Sequence, residues 1–201
     1  LIEAEGRKAV ALPADLRDEA AARKVVDDAV KALGGLEVLV LNAGRQQAEE
    51  SIADITSDAF DATIKTNIYA PFWMTQQALP HMKKGASIIV TSSINAFSPS
   101  PDMVDYAMTK GAGKVFAQAL AKQLAPKGIR VNGVAPGPIW TPLQPSGGQP
   151  TEELPDFGQS TPLGRAGQPT ELAPAYVFLA SPESSYVVGA TIPVTGGMPT
   201  P

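Results

Sequence analysis

Short apolar stretches alternate along the chain with longer segments in which apolar residues recur every three or four positions. The short stretches predict β-strands, because each is bounded by glycine, proline or small polar residues. The longer segments predict amphipathic helices, since that spacing places apolar side chains on one helix face. The predicted strands are residues 8–14, 36–41, 86–91, 129–135 and 189–195, and the predicted helices are residues 18–33, 56–81, 105–125 and 169–180.

Residues that favour helix ends mark several of these boundaries. Asp18 is an N-cap candidate for the first helix, and Thr56 or Ser57 opens the second. We expect the second helix to bend at Pro71, because proline removes a helical hydrogen bond. Pro169 stands in the first turn of the last helix, where proline is tolerated.

The alternation of strands and helices predicts the fold class. The run at 36–41 is apolar enough for a strand that is covered on both faces, as in a parallel sheet. Repeated strand–helix units build such a sheet with right-handed crossovers and helices on both sides. We therefore predict an α/β fold with a doubly wound, Rossmann-like parallel sheet, and a single domain over residues 1–201.

This fold class indicates where a ligand would bind, namely beyond the carboxyl ends of the strands. Four segments follow predicted strands: Asp15, residues 42–44, residues 92–93 and residues 136–141. The last of them opens a proline-rich stretch that is too long for a plain connection. We interpret residues 137–168 as a lid loop over the substrate.

Composition and charge exclude several classes of protein. The net charge of −4 argues against a nucleic-acid-binding domain, which would carry a basic surplus. No apolar run has the length of a membrane helix, and no signal-peptide pattern is visible, so we expect no membrane partner and a cytoplasmic location. Cysteine is absent and His81 is the single histidine, which leaves no ligands for an ordinary zinc site. We expect no metal.

One pair of residues has a chemical use. Tyr106 and Lys110 lie four apart on a predicted helix and so share a face. An ammonium group beside a phenol favours the phenolate, so we expect Lys110 to lower the pKa of Tyr106 and make it an acid or base. Ser93, at a strand exit, could hold a substrate oxygen nearby. The plainer alternatives are a solvated Tyr–Lys pair and, for Ser93, a turn or cap residue.

The motifs taken together resemble the short-chain dehydrogenase/reductase family over all 201 residues, in particular its general-stress and glucose-dehydrogenase-like branch. The matching segments are Asn42-Ala43-Gly44, Thr66-Asn67, Ser93, the stretch from Tyr106 to Lys110, Ile129-Arg130-Val131-Asn132, and residues 136–141.

The resemblance implies a role for each matching residue. Tyr106 resembles the catalytic acid/base, and Lys110 the residue that tunes it and binds the nicotinamide ribose. Ser93 resembles the residue that polarises the substrate carbonyl. Asn67 resembles the residue that anchors a water in the proton relay, although from the residues alone it is more typical of a polar side chain at a helix kink. The implied contacts to NAD or NADP come from Tyr106, Lys110, Asp15, Leu16, Asn42, Ala43, Gly44, Pro136, Gly137, Ile139 and Thr141.

The implied function is that of an oxidoreductase that transfers a hydride between a nicotinamide cofactor and a small alcohol or carbonyl substrate. The alternative is a non-catalytic dinucleotide-binding or scaffold protein of the same fold. The resemblance also implies a homo-oligomer, a tetramer in this family. Substrate identity and the choice between NAD and NADP stay open.

The sequence departs from the family pattern in one important respect. The glycine-rich phosphate loop, Thr-Gly-x-x-x-Gly-x-Gly, does not occur in it. In the family this loop belongs to the first strand–helix unit, so we expect that unit to precede Leu1 in the active protein. On this expectation residues 1–201 alone would bind dinucleotide poorly and tend to aggregate.

Overall fold

The computed structural model describes residues 1–200, and its centre is a four-stranded sheet. The strands are β1 (Val38–Leu41), β2 (Ser87–Thr91), β3 (Arg130–Pro136) and β4 (Thr191–Val194). They lie side by side in chain order, and every neighbouring pair is parallel. Leu41 is aligned with Val90, and Val90 with Gly133, so the carboxyl ends meet at one edge. The predicted parallel α/β sheet is confirmed.

Helices connect the strands, and their ends follow the capping residues. The α-helices among residues 1–200 are α1 (Glu19–Leu33), α2 (Ser57–Ile64), α3 (Ala70–Ala78), α4 (Val104–Leu124), α5 (Leu143–Ser146) and α6 (Pro169–Ala180). The Asp18 carboxylate accepts a hydrogen bond from the Ala21 amide at 2.7 Å, and the Thr56 hydroxyl accepts one from the Ala59 amide at 3.2 Å. Both predicted caps are therefore confirmed, as is the start of α6 at Pro169.

The core has two layers because side chains of a strand point alternately to opposite faces of the sheet. Ile88 and Val90 of β2 pack in a cluster with residues of α1, α3 and α4. Ile89, between them, packs on the other face with Leu179 of α6. Ile88, Ile89 and Leu179 are fully buried. Helices therefore cover both faces of the central strands.

The predicted long helix over residues 56–81 is interrupted by a π-helical segment, Lys65–Tyr69, rather than simply bent at a proline. Within it the Ala70 amide donates to the carbonyl of Lys65, five residues earlier. Pro71 follows directly and has no N–H to donate to the carbonyl of Asn67, four residues earlier. Such wider turns recur at functional sites. Asn67 lies inside this one.

The structure corrects the prediction of a strand at residues 8–14. These residues form no regular secondary structure, are largely exposed, and are not part of the sheet. A strand needs a neighbour to pair its N–H and C=O groups, and no strand in residues 1–200 pairs with the outer edge of β1. Asp15 is consequently not at the end of a strand.

The strand β1 is buried on one face rather than on both. Leu39 and Leu41 are buried, whereas Val38 and Val40 are 37% and 41% exposed. The reason is the position of α6, which packs mainly over β2, β3 and β4.

A buried arginine fixes the C-terminal end of α6 to the sheet. The Arg130 guanidinium donates to the Leu179 carbonyl at 2.8 Å and to the Ser181 carbonyl at 3.1 Å. The Ser87 hydroxyl also donates to the Leu179 carbonyl, at 2.8 Å. These bonds satisfy carbonyls at the helix end, which have no partner within the helix. They hold α6 in place beside the cleft described below.

The described part of the chain shows two further absences. None of its helices combines the length and the apolar character that crossing a bilayer requires. Residues 1–200 also bring no three histidine, aspartate or glutamate side chains together in a way that could hold a metal ion.

Candidate active site

A cleft of about 1010 Å³ opens at the carboxyl ends of β1, β2 and β3. This is the edge at which ligands bind in parallel α/β sheets. Its walls come from the segments that follow the three strands, from the first turns of α4, from the stretch after β3 and from α6. Three of the four predicted binding segments, residues 42–44, 92–93 and 136–141, contribute to it.

Tyr106 and Lys110 lie on the face of α4 that lines the cleft, as their spacing predicts. They are only 8% and 7% exposed. The Lys110 ammonium nitrogen lies 5.3 Å from the centre of the Tyr106 ring. It also donates to the Thr91 carbonyl at 3.0 Å, at the end of β2. The pair is therefore buried and fixed, and it is not a solvated surface pair.

The structure corrects the expected pKa of Tyr106. Burial raises the pKa of the Tyr106 phenol above its usual value, and hydrogen bonding with the Ser93 side chain only partly opposes this rise. The Lys110 ammonium does not lower it as expected, because it is held at the Thr91 carbonyl and beside the ring instead of at the hydroxyl. The phenol therefore keeps its proton near neutral pH.

Burial also changes the titration of Lys110. Loss of hydration disfavours the ammonium form and lowers the pKa of Lys110 to about 8. Lysine in an unfolded chain titrates near 10.4. Between these two values the unfolded chain binds more protons than the folded one, so folding stability rises with pH in this window. Below about pH 8 Lys110 is charged in the folded chain as well, so its burial lowers the free energy of unfolding by the full amount.

A pH-dependent stability measurement tests this assignment. We expect Lys110→Met to raise the free energy of unfolding, relative to the wild type, more at about pH 7.5 than at about pH 9.5, because only the wild type gains stability as Lys110 loses its proton. Urea unfolding at the two pH values measures the difference. Lys122→Met, at an exposed position on the same helix, is the matched control and should show no such trend. A pH-independent difference for Lys110→Met would contradict the lowered pKa.

Ser93 begins a short 3₁₀ turn, Ile94–Ala96, directly after β2. Its hydroxyl oxygen accepts a hydrogen bond from the Asn95 amide at 3.1 Å. The side chain thus caps the turn, and its hydroxyl proton can still be donated. Ser93 is 6% exposed and lines the cleft beside Tyr106. The capping and functional interpretations of Ser93 are therefore compatible.

Asn67 joins three parts of the site through its side chain. Its Oδ1 accepts from the Arg45 amide at 2.8 Å, and its Nδ2 donates to the Arg45 carbonyl at 2.8 Å and to the Thr109 hydroxyl at 2.9 Å. The Thr109 hydroxyl in turn donates to the Tyr106 carbonyl at 2.7 Å. The side chain is thus engaged by protein groups, so a water bound at Asn67 would use its main-chain carbonyl, which lacks its usual donor at Pro71.

The predicted cofactor residues divide into two groups. Asp15 and Leu16 do not line the cleft. The Asp15 carboxylate is paired with Arg17 at 2.6 Å, and the hydrogen bonds from Arg17 lower the pKa of Asp15 to about 2. Leu16 borders a small neighbouring cavity with Asn42 and Ala43. The residues that do line the cleft are Asn42, Ala43, Gly44, Tyr106, Lys110, Pro136, Gly137, Ile139 and Thr141.

Two features of the cleft suit a ligand that carries ribose hydroxyl groups. A Cβ added at Gly44 would lie 3.3 Å from the Lys110 ammonium nitrogen, so glycine leaves space for a ligand to approach the backbone there. Lys110 can donate hydrogen bonds to ribose hydroxyls. These features lie in the part of the cleft formed by residues 42–44 and α4.

Several residues of the site were not predicted from the sequence. Tyr176 of α6 lines the cleft, and its hydroxyl lies 2.7 Å from the Thr91 hydroxyl. Burial raises the pKa of Tyr176. Gln46 and Thr109 were missed as well. Tyr176 was detectable as a polar aromatic residue in the apolar run 172–180, and Gln46 by its place two residues after the turn at 42–44.

Comparison with known proteins gives consistent matches. A family profile described as enoyl-(acyl carrier protein) reductase matches residues 1–199. An oxidoreductase of Escherichia coli (strain K12), YghA, is 59% identical over 197 residues, which cover 98% of this chain and 67% of that protein. Glucose and ribitol dehydrogenase of Daucus carota is 47% identical over 193 residues, covering 96% of this chain and 66% of that protein. The chain thus spans about two thirds of the length of both relatives.

A solved structure matches the fold of the whole chain. It is a short chain dehydrogenase from Burkholderia cenocepacia J2315 in complex with NADP. The TM-score is 0.88 at 34% sequence identity, and the match covers 97% of this chain and 78% of that one.

Proposed function

The chain belongs to the short-chain dehydrogenase/reductase family of oxidoreductases. We propose that it interconverts an alcohol and a carbonyl compound, with Tyr106 as the acid/base. The cofactor of this activity is NAD or NADP. The observation that carries the proposal is the convergence of Ser93, Tyr106 and Lys110 on one cleft at the carboxyl edge of the sheet.

The proposed reduction needs a hydride at the carbonyl carbon and a proton at the carbonyl oxygen. The nicotinamide supplies the hydride when it is bound. The Ser93 hydroxyl donates a hydrogen bond to the carbonyl oxygen and polarises it. The Tyr106 hydroxyl gives its proton to the same oxygen as the negative charge develops there. The alcohol is released, and the Tyr106 oxygen then takes up a proton from solvent.

The raised pKa of Tyr106 keeps the phenol protonated near neutral pH, which is the form that the proposed reduction requires. A phenol that keeps its proton is ready to donate it, whereas oxidation of an alcohol requires the phenolate. The Lys110 ammonium, held at the Thr91 carbonyl and 5.3 Å from the ring centre, leaves the phenol protonated in the resting enzyme. We therefore propose that Lys110 acts by donating hydrogen bonds to the ribose hydroxyls of the cofactor.

The proposed activity is tested by following consumption of reduced cofactor with a panel of aldehydes, ketones and sugars, and its formation with the matching alcohols. Turnover that depends on enzyme supports the proposal. Tight binding of NADP(H) without turnover of any member of the panel would contradict it and favour a dinucleotide-binding protein instead. The homotetrameric state typical of the family is likewise a proposal, which sedimentation of the full-length protein tests.

We also propose that residues 137–168 form a lid. Ile139, Leu143 and Phe157 from this stretch line the cleft. Trp140 packs on Phe157 with ring centres 6.0 Å apart, and the Ala48 amide donates to the Gly147 carbonyl at 2.9 Å. Few other apolar anchors hold the stretch, and binding loops are often drawn from the less stable parts of a fold.

Hydrogen exchange tests the lid. Backbone amides of residues 137–168 should exchange fast in the free protein and more slowly with cofactor and substrate bound, because closure would protect them. The buried strand β2 serves as the internal reference. Exchange across the stretch that does not respond to ligands would rule out a lid.

A further inference from the structure

A buried carboxamide in the cleft is not explained by the proposed proton transfer. Gln46 is only 7% exposed, yet it lines the cleft together with Ser93 and Tyr106. Its Nε2 donates to Oε1 of Gln144 at 3.5 Å, which is a long hydrogen bond. No residue in 1–200 donates a hydrogen bond to Oε1 of Gln46. Most of the hydrogen-bonding capacity of this amide is therefore unused.

The Gln46 side chain packs against the stretch after β3. A Cβ added at Gly147 would lie 2.6 Å from Cγ and 2.8 Å from Nε2 of Gln46, so the glycine packs directly against this side chain. Gln144, three residues before Gly147 and 9% exposed, donates from its Nε2 to the Ile139 carbonyl at 3.2 Å. Gln46 thus packs against α5 and the glycine that follows it.

The Gln46 amide oxygen has no partner within residues 1–200 and is not among the buried unpaired atoms, so a water or a ligand in the cleft can bond to it. A hydroxyl group complements a carboxamide, since it can donate to the oxygen and accept from the nitrogen. A charged group suits this place less well. Lys110 is the one charged side chain lining the cleft in the described part of the chain. The chemistry of this wall therefore favours a neutral, hydroxylated ligand.

We propose that Gln46, with Gln144 behind it, hydrogen-bonds a substrate hydroxyl beyond the reacting carbon, so that the site selects small polyhydroxylated aldehydes and their polyols. Gln46 is then a specificity-determining residue, and the proton transfer does not depend on it. This inference rests on the proposed oxidoreductase activity and deepens it.

The test compares two aldehydes of equal carbon number in the full-length enzyme with NADPH. Glyceraldehyde carries two hydroxyl groups beyond the carbonyl, and propanal carries none. Gln46→Met keeps the length of the side chain and removes the amide. We expect kcat/KM for glyceraldehyde to fall by at least about tenfold, because a site built to bind a hydroxyl loses that discrimination, while kcat/KM for propanal stays within about twofold.

Two controls make the result specific. Gln123→Leu, at an exposed position of α4, should leave both values unchanged. The NADPH dissociation constant and the unfolding midpoint of Gln46→Met report whether the variant is folded. In a misfolded variant kcat/KM would fall for both aldehydes, whereas the proposal requires that it fall for glyceraldehyde alone. A second measurement needs no variant: kcat/KM of the wild type should be higher for glyceraldehyde than for propanal.

The outcomes separate this inference from the function on which it rests. If both aldehydes are reduced and Gln46→Met leaves the ratio of their kcat/KM values unchanged, the inference is overturned and the proposed activity stands. If no member of the aldehyde, ketone and sugar panel is reduced while NADPH binds, the proposed activity fails and the inference fails with it.

Discussion

Tyr106→Phe should lower kcat by about 10²–10⁴-fold, because the substitution removes the group that moves a proton to or from the substrate oxygen. Only the hydroxyl is lost, and the ring keeps its packing in a position that is 8% exposed. The dissociation constant for NADP(H) should therefore change little. Steady-state kinetics in the full-length protein, with cofactor binding measured by fluorescence, give both quantities.

The matched control for this variant is Tyr186→Phe. Tyr186 is 100% exposed, so loss of its hydroxyl should affect neither turnover nor cofactor binding. If Tyr106→Phe kept more than about a tenth of the wild-type kcat, the activation free energy would have risen by less than about 1.4 kcal/mol, and the acid/base role would be wrong.

Asn67→Leu is expected to reduce both stability and turnover. It removes three hydrogen bonds and leaves the Arg45 amide and carbonyl without their side-chain partner. We expect the free energy of unfolding to fall by about 2–4 kcal/mol, since each lost bond contributes about 1 kcal/mol and buried groups stay unpaired. Without these bonds the turn at 42–45 and Tyr106 should shift. A shift of reacting groups by about 1 Å lowers the rate by about 100-fold, so we expect kcat to fall by about that factor.

A second variant, which removes only part of the hydrogen bonds around Asn67, distinguishes their loss from a general loss of packing. Thr109→Val removes the Asn67–Thr109 bond and the bond to the Tyr106 carbonyl, but it keeps both bonds to Arg45. Its effects should be intermediate. Urea unfolding and steady-state kinetics measure both variants. Wild-type stability in Asn67→Leu would show that the network does not hold the site together.

Much of the fold was predictable because its determinants are local in sequence. Asp18 and Thr56 cap helices through amides three residues away, and Pro169 begins α6 where expected. The strand predicted at residues 8–14 was wrong because strand formation depends on a partner that is distant in sequence. The helix predicted over 56–81 was right in extent, but periodicity could not reveal the π-helical segment within it.

The site was predictable in its residue types and less so in its electrostatics. The spacing of Tyr106 and Lys110 correctly placed both on one helix face. Their pKa values depend on burial, which is a property of the folded chain, so the expected lowering at Tyr106 was wrong. Gln46 and Tyr176 acquire their roles from partners 98 and 85 residues away, at Gln144 and Thr91. Local sequence marks both as unusual positions, but it does not encode these distant contacts.

The π-helical segment constrains how the length of this chain can change during evolution. A π turn holds one residue more than an α turn, so the side chains of α3 are rotated by about 100° about the helix axis from the positions they would have in an uninterrupted helix. This rotation allows α2 to pack against α4 and α3 to pack against α1. Loss of one codon from residues 65–69 would restore a regular helix and turn α3 away from α1. Divergent copies of this gene should therefore vary in length at the stretch after β3 and keep a fixed length here.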